Sequence, residues 1–289
     1  MLFKRRRSGP PDWALYFSEA EWREFERVVR AEITPRGISG SIHDGQLTYG
    51  KARYGLGNLA QMCHGEPLAL WPDIVARHFA ITSDIPEELE GIPKARLIDD
   101  GYLARLPDDR VTRRVAEDLQ LVLSWDQPDR VATPHRDEVF ARGEPDDLFA
   151  EAIENARAEE ELELERHEIP VGDDVVELFA LTGASHFTAT HALWADEFDP
   201  PGSEHGTLVA VPNRHTVLAH PIRAMSMVGS LGVMLDLARR MEQEGPGSIS
   251  PHLYWLREGR LERLDARITD AGIEFAPSAE FGAMMARLA

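Results

Sequence analysis

Cysteine, lysine, cationic charge and long apolar runs are all scarce in this chain. One cysteine, Cys63, in 289 residues excludes an internal disulfide and a cysteine-based zinc finger, and it suits a reducing compartment. No stretch approaches the roughly 20 consecutive apolar residues that a membrane-spanning helix requires. Only Leu2 and Phe3 precede the cationic run Lys4-Arg5-Arg6-Arg7, so the apolar core of a secretory signal is missing. These absences point to a cytoplasmic protein with no membrane partner. Lysine occurs only as Lys4, Lys51 and Lys94, and 31 Lys plus Arg stand against 50 Asp plus Glu, a net −19. A field of that sign repels phosphate backbones, which excludes nucleic acid as a partner over a broad face. No P-loop, H-E-x-x-H or EF-hand sequence occurs, which removes the readily recognised NTPases, zincins and calcium sensors and implies no cofactor.

What is present reads as globular: 43% hydrophobic and 28% charged residues are ordinary for a packed domain. The charge is uneven. Residues 1–83 carry 11 basic and 9 acidic side chains, residues 84–174 carry 11 and 27, and residues 175–289 carry 9 and 14. The order of signals gives a disordered basic tail (1–11), a small N-terminal α+β unit (12–83), a Pro- and acid-rich linker (84–94), a core domain (95–269) and a C-terminal segment (270–289).

Local patterns fill in the two units. Ser18 followed by Glu21 is a capping box, and Trp22, Phe25, Val28 and Val29 recur at helical spacing behind it, which predicts a helix over 19–32. His43-Asp44-Gly45 between alternating residues predicts a hairpin. Helices are expected at 58–63 and 67–81, with Pro72 a possible bend in the second. In the larger unit Leu119–Trp125 and Arg130–Thr133 read as strands around a turn, with helices at 135–142 and 145–159. Strands follow at 162–170 and 175–181, then a helix at 184–197. Hairpins are expected at 207–220 and 253–264, separated by a helix over 225–244. Successive hairpins need no crossover helices, so the fold class is α+β, with a mainly antiparallel sheet and helices packed on it.

Part of this unit resembles a known family. Ala116-Glu117-Asp118-Leu119-Gln120-Leu121-Val122-Leu123 with Asp126-Gln127-Pro128 is similar to a strand-and-turn region of the YtpQ-like family of bacterial proteins. Ala152-Ile153-Glu154-Asn155-Ala156 resembles that family's next helix. Thr207-Leu208-Val209-Ala210-Val211-Pro212-Asn213-Arg214 resembles its Val-Ala-Val-Pro segment and polar turn. The resemblance spans roughly residues 105–265, and His215 stands where the family pattern more often has an acidic residue. It implies an intracellular bacterial protein with an α+β core, and it brings no reaction, cofactor or catalytic residue to transfer.

Several constellations suggest chemistry. Gly55-Leu56-Gly57-Asn58-Leu59-Ala60 matches a dinucleotide-loop pattern, but the segment before it is polar at alternate positions and unlike a buried parallel strand. His186 with His191, and His215 with His220, suggest a metal; a spacing of five places neither pair on one helix face or one strand face. A site would have to mix the pairs and add carboxylates such as Asp196, Glu197 or Asp199. Ser185-His186 lacks a nucleophile-elbow pattern and reads as a helix cap. Cys63-His64 is an unspecific pair, read as core packing. The acidic run offers Glu159, Glu161, Glu163 and Glu165 as a docking face for a partner with a basic surface. The leading expectation is therefore a non-enzymatic, protein-binding or regulatory module that uses this acidic surface. The rivals are a metal-assisted hydrolase built on the four histidines with Asp196 and Glu197, and a small-molecule sensor.

Overall fold

Ser18 begins the first regular element as its capping box demands. Its hydroxyl accepts from the Glu21 amide at 3.3 Å, and the Glu21 carboxylate accepts from the Ser18 amide at 2.8 Å. Helix α1 (Glu19–Ile33) then buries Trp22, Phe25, Val28, Val29 and Ile33 on one side. The computed structural model describes residues 9–38, 40–43, 45–49, 52–83, 91–106, 109–128, 130–171, 174–200, 202–244, 246–269 and 272–288. The chain divides into two units, Met1–Glu87 and Glu88–Ala289. Most of the expected basic tail, and residues 84–90 of the expected linker, lie outside the described residues.

In the first unit, strands β1 (Ser41–His43), β2 (Gln46–Tyr49) and β3 (Ala52–Gly55) form an antiparallel sheet. Gly45 turns the first hairpin with φ +73°, as a glycine permits; Asp44 lies outside the described residues. Helix α2 (Gly57–His64) therefore follows an antiparallel strand, so the glycine pattern at 55–60 is a turn that opens a helix. A 3-10 turn (Leu68–Leu70) leads into α3 (Trp71–Ser83). Pro72 is the second residue of α3, inside the first turn where no helical hydrogen bond is lost, so it bends nothing. Trp71, Val75 and Phe79 join Phe17, Trp22 and Phe25 in the core. The Phe17 and Phe25 rings lie 5.5 Å apart, as do Phe17 and Trp71. Burial of a phenylalanine as completely as Phe25 is worth about 2–3 kcal/mol. Cys63 is buried in the same cluster, and burial pushes its thiol up to about 12.

The second unit is α+β, and every strand pairing described in it is antiparallel. It opens with β4 (Ile92–Asp99), so Ile92-Pro93-Lys94 is strand where a linker was expected. A short helix α4 (Asp100–Leu103), β5 (Thr112–Arg114), β6 (Leu119–Asp126) and β7 (Val131–Ala132) follow. They form a sheet in the order β4-β6-β5, with β7 against β6. Helices α5 (Arg136–Phe140) and α6 (Pro145–Arg157) place Val139, Phe149 and Ala152 in the core shared with this sheet.

Strands β8 (Leu162–Val171), β9 (Asp174–Gly183), β10 (Thr207–Asn213), β11 (Thr216–Pro221), β12 (Leu253–Arg257) and β13 (Arg260–Arg263) form the larger sheet. Its order is β13-β12-β10-β11-β9-β8. Hairpin β10–β11 is thus inserted flipped, pairing β9 with β11 and β12 with β10. Each flanking connection must pass one strand. The β9–β10 connection puts Ala189, Ala192 and Ala195 on the face of Val209, Val211, Val217 and Ala219. The β11–β12 connection is α7 (Met227–Glu244), whose Leu231, Met234 and Leu235 cover Leu208, Ala210 and Leu218 on the other face. Both central strands are buried along their whole length, which is why their sequences show no alternation.

Two expectations are corrected here. Residues 184–197 were read as a helix; the chain instead forms 3-10 turns over Thr188–Glu197, broken at Trp194 (φ −126°, ψ 23°). Thr188, Ala189, Thr190, His191, Ala192 and Ala195 are all buried, and the Thr190 hydroxyl is committed to β4. It donates to the Ala95 carbonyl at 2.9 Å and accepts from the Leu97 amide at 3.2 Å. Asn155 adds a bond to the Pro93 carbonyl at 2.9 Å, so side chains satisfy part of an edge strand's backbone. The core domain also runs past residue 269. Strand β14 (Asp265–Thr269) pairs with β15 (Gly272–Ala276), and α8 (Ala279–Leu288) sends Phe281 and Met284 into the core under α7. Among the described residues, no helix is long and apolar enough to cross a membrane.

Candidate functional site

The acidic run does not behave as one surface. Glu159 ends up inside, its side chain 15% exposed against a Lys94 side chain 12% exposed. The Lys94 ammonium sits 2.9 Å from Glu159 Oε2 and 2.9 Å from Asp126 Oδ2, and Ser185 donates to the same Glu159 oxygen at 2.9 Å. Burial works against the Lys94 charge, and the bonds to Asp126 and Glu159 more than reverse it, so its pKa rises. Glu159 is therefore removed from the expected docking face: its charge is spent on a buried lysine from β4. The Ser185 hydroxyl is spent on Glu159 rather than on His186, and it also accepts from the Phe187 amide at 3.1 Å.

Glu161, Glu163 and Glu165 are exposed. Alternation along β8 sends Glu163, Glu165 and His167 to one face and Leu162, Leu164 and Arg166 to the other. Glu163 lies opposite Thr182, and Glu165 opposite Ala180. His167 sits 3.2 Å from Glu165, while Arg166 spans to Glu168 and Glu177. The C-terminal half of β8 thus has a cation, Arg166, among its acids, whereas Glu161 and Glu163 at the N-terminal end have none among the described residues. An open depression there is lined by Glu160, Glu161, Glu163, Thr182, Ala184 and His215, among others.

The four histidines do not converge. His191 donates from Nε2 to the Ala156 carbonyl at 3.1 Å. His220 donates from Nδ1 to the Glu177 carbonyl at 2.7 Å, and its Nε2 lies 3.1 Å from the Ser230 hydroxyl. His215 donates from Nδ1 to the Gly183 carbonyl at 3.0 Å, leaving the Nε2 lone pair to accept from Arg214 Nε at 2.8 Å. Only His186 and His215 are neighbours, with ring centroids 6.2 Å apart. The carboxylates are elsewhere: both Glu197 oxygens take Arg157 at 2.8 Å, Asp199 pairs with Arg223, and Asp196 stays on the 3-10 segment. Among the described residues no group of three His, Cys, Asp or Glu side chains is placed to hold a metal ion. The histidine-based metal site is not assembled among the described residues: the rings do not converge with a carboxylate, and the Nε2 atoms of His215 and His220 face Arg214 and Ser230.

Burial lowers the pKa of His186, His191, His215 and His220. His186 goes furthest, down to about 3, because Arg214 and Arg96 add to burial. Those two arginines were not singled out from the sequence. Arg96 lies mid-strand in β4 and Arg214 in the β10–β11 turn, 7% and 9% exposed. The only available signal was a charged residue, Arg96, standing between Ala95 and Leu97 in a strand that also carries Lys94 and Asp99. Arg214 looked like any polar turn residue.

The chain matches no protein-family model, no curated protein and no solved structure.

Proposed function

We propose that the protein works by binding a partner protein rather than by catalysing a reaction, presenting the outer edge of β8 to a basic, extended segment. The observation that carries this reading is the position of β8. It ends the strand order of the larger sheet, so one row of its backbone N–H and C=O groups has no strand partner among the described residues. Glu161 and Glu163 make no ion pair among the described residues, and Leu164, which follows them, is 46% exposed. A strand added to such an edge gains main-chain hydrogen bonds, and alternating side chains give it specificity. Lysine or arginine at every second position of the incoming segment would meet Glu161, Glu163 and Glu165 in turn.

The test is native mass spectrometry of the protein purified gently from its own host. The wild type retains a stoichiometric partner with a basic surface, and raising salt to about 0.5 M releases it, since the Debye length then falls below the spacing of the charges. The triple variant Glu161→Lys, Glu163→Lys, Glu165→Lys, with Glu159 left intact, loses the partner and keeps its melting temperature. A triple variant that retains the partner overturns the proposal.

A further inference from the structure

Two guanidinium groups lie buried in the second unit, and among the described residues neither has a carboxylate within salt-bridge distance. Among the described residues neither Arg96 nor Arg214 forms a salt bridge, and the buried Arg96 Nε has no hydrogen-bond partner. Arg96 donates from Nη1 to the Tyr102 hydroxyl at 3.2 Å, with its guanidinium carbon 4.9 Å from the Tyr102 ring centroid. Arg214 donates from Nε to His215, and its terminal nitrogens have no protein acceptor among the described residues. A buried charge left without a counter-ion is strongly unfavourable, and a second of the same sign nearby makes it worse. The two groups do repel: burial and then Arg96 bring Arg214 down to about 10.

We propose that Arg96 and Arg214 together hold a small dianion, a phosphate group either free or carried as a phosphomonoester, with Tyr102 and His186 as further contacts. Charge sets the class of ligand. The two buried positive charges are balanced by one dianion, whereas a single carboxylate leaves one of them uncompensated; the exposed Arg105, 5.4 Å from the same Tyr102 ring, faces Asp99. Planar guanidinium forks also match phosphate oxygens two at a time. Tyr102 accepts from Arg96, so its own proton is available to the ligand. His186 has no hydrogen-bond partner among the described residues, and with its pKa near 3 it is neutral, so it supplies an N–H without adding charge.

The site is preformed at Arg214. Its backbone N–H donates to the Gly247 carbonyl at 2.9 Å, and its own carbonyl accepts from the Ala189 amide at 3.2 Å. Gly247 holds φ +75°, and a Cβ there would come within 2.6 Å of Arg214 Cδ. The arginine stem therefore runs in a slot that only glycine leaves open.

Isothermal titration of the full chain with inorganic phosphate, and separately with glycerol 3-phosphate, tests this at matched ionic strength in chloride. One saturable site per chain is expected, together with a rise in Tm on adding the ligand. Similar affinities assign the site to free phosphate; glycerol 3-phosphate bound at least about tenfold tighter assigns it to a phosphomonoester. Arg96→Met and Arg214→Met each weaken binding at least about tenfold and leave the anion-free Tm equal or higher, because an unbalanced buried charge is gone. Tyr102→Phe, which leaves both charges in place, weakens binding less and gives a second readout. No saturable binding of either ligand up to about 10 mM overturns the proposal. So does Arg214→Met that binds as tightly as the wild type, or a lowered anion-free Tm in both arginine variants. None of these substitutions touches Glu161, Glu163 or Glu165, so partner binding at β8 is judged separately.

Discussion

Glu159 and Glu161 stand two residues apart in one acidic run, and the structure predicts opposite consequences of removing them. Glu159→Ala deletes a carboxylate that neutralises a Lys94 side chain only 12% exposed, and it also strips the Ser185 hydroxyl of its acceptor. Removing one partner of a buried ion pair costs about 3–5 kcal/mol. Lys94 keeps Asp126 at 2.9 Å, whose side chain is 35% exposed, so the bottom of that range applies, about 3 kcal/mol. Glu161→Ala removes an exposed group with no ion pair among the described residues and changes stability by about 0.5 kcal/mol or less. A double-mutant cycle with Lys94→Met should return a coupling of about 1–3 kcal/mol for Glu159 and none for Glu161. Hydrogen exchange read by mass spectrometry across a urea series is the suitable assay. It follows β4 and β6 peptides separately from the first unit, which a tryptophan signal cannot do because both units contain tryptophan. The Lys94 pKa is raised in the fold, so its contribution is fully present below the ordinary lysine value of 10.5 and fades only as pH rises through the folded value. Equal effects of Glu159→Ala and Glu161→Ala would refute the buried-pair account.

Acid should unfold the second unit early. His186, His191, His215 and His220 have folded pKa values below the ordinary 6.5, so the unfolded chain takes up protons that the fold refuses. Stability is full above about pH 6.5 and falls as pH drops toward the folded values, by up to roughly 2 kcal/mol for His186 near pH 4 after allowance for its partial exposure. Asp99 and Glu242, raised chiefly by burial, oppose this trend as pH falls through their raised values. A melting temperature that is flat between pH 7 and 5 would count against neutral buried imidazoles. Glycine substitutions give a second contrast: Gly259→Ala (φ +71°, nothing within 4 Å) pays only the backbone penalty, about 1 kcal/mol. Gly247→Ala must also displace the Arg214 stem and should cost roughly 3 kcal/mol; equal losses in a denaturation series would contradict the slot.

Local chemistry was legible where it sufficed to decide structure. The Ser18–Glu21 box, the glycine of the His43-Asp44-Gly45 turn and the stripe of α1 each carry their own instruction. Residues 92–94 misled because proline and lysine look like linker. Pro93 is tolerated in β4 because β4 ends its sheet, and Lys94 because Glu159, 65 residues on, receives it. The C-terminal hairpin and α8 were missed for a related reason. Phe281 and Met284 are core residues only in the company of Trp255 and α7. Of the acidic face, the solvated half was readable from alternation, whereas the burial of Glu159 was not. The paired arginines lie on β4 and on a turn 118 positions later, a juxtaposition that no spacing rule encodes.

The flipped insertion of β10–β11 has a mechanical consequence. Because one crossover lies over each face of that hairpin, opening it requires both covers to lift, so it belongs to the slowest-exchanging part of the chain. Its turn is an outcrop of that rigid block. Arg214 and His215 are therefore anchored like fittings set in masonry, and whatever they hold meets side chains already in position, with little ordering entropy left to lose on arrival.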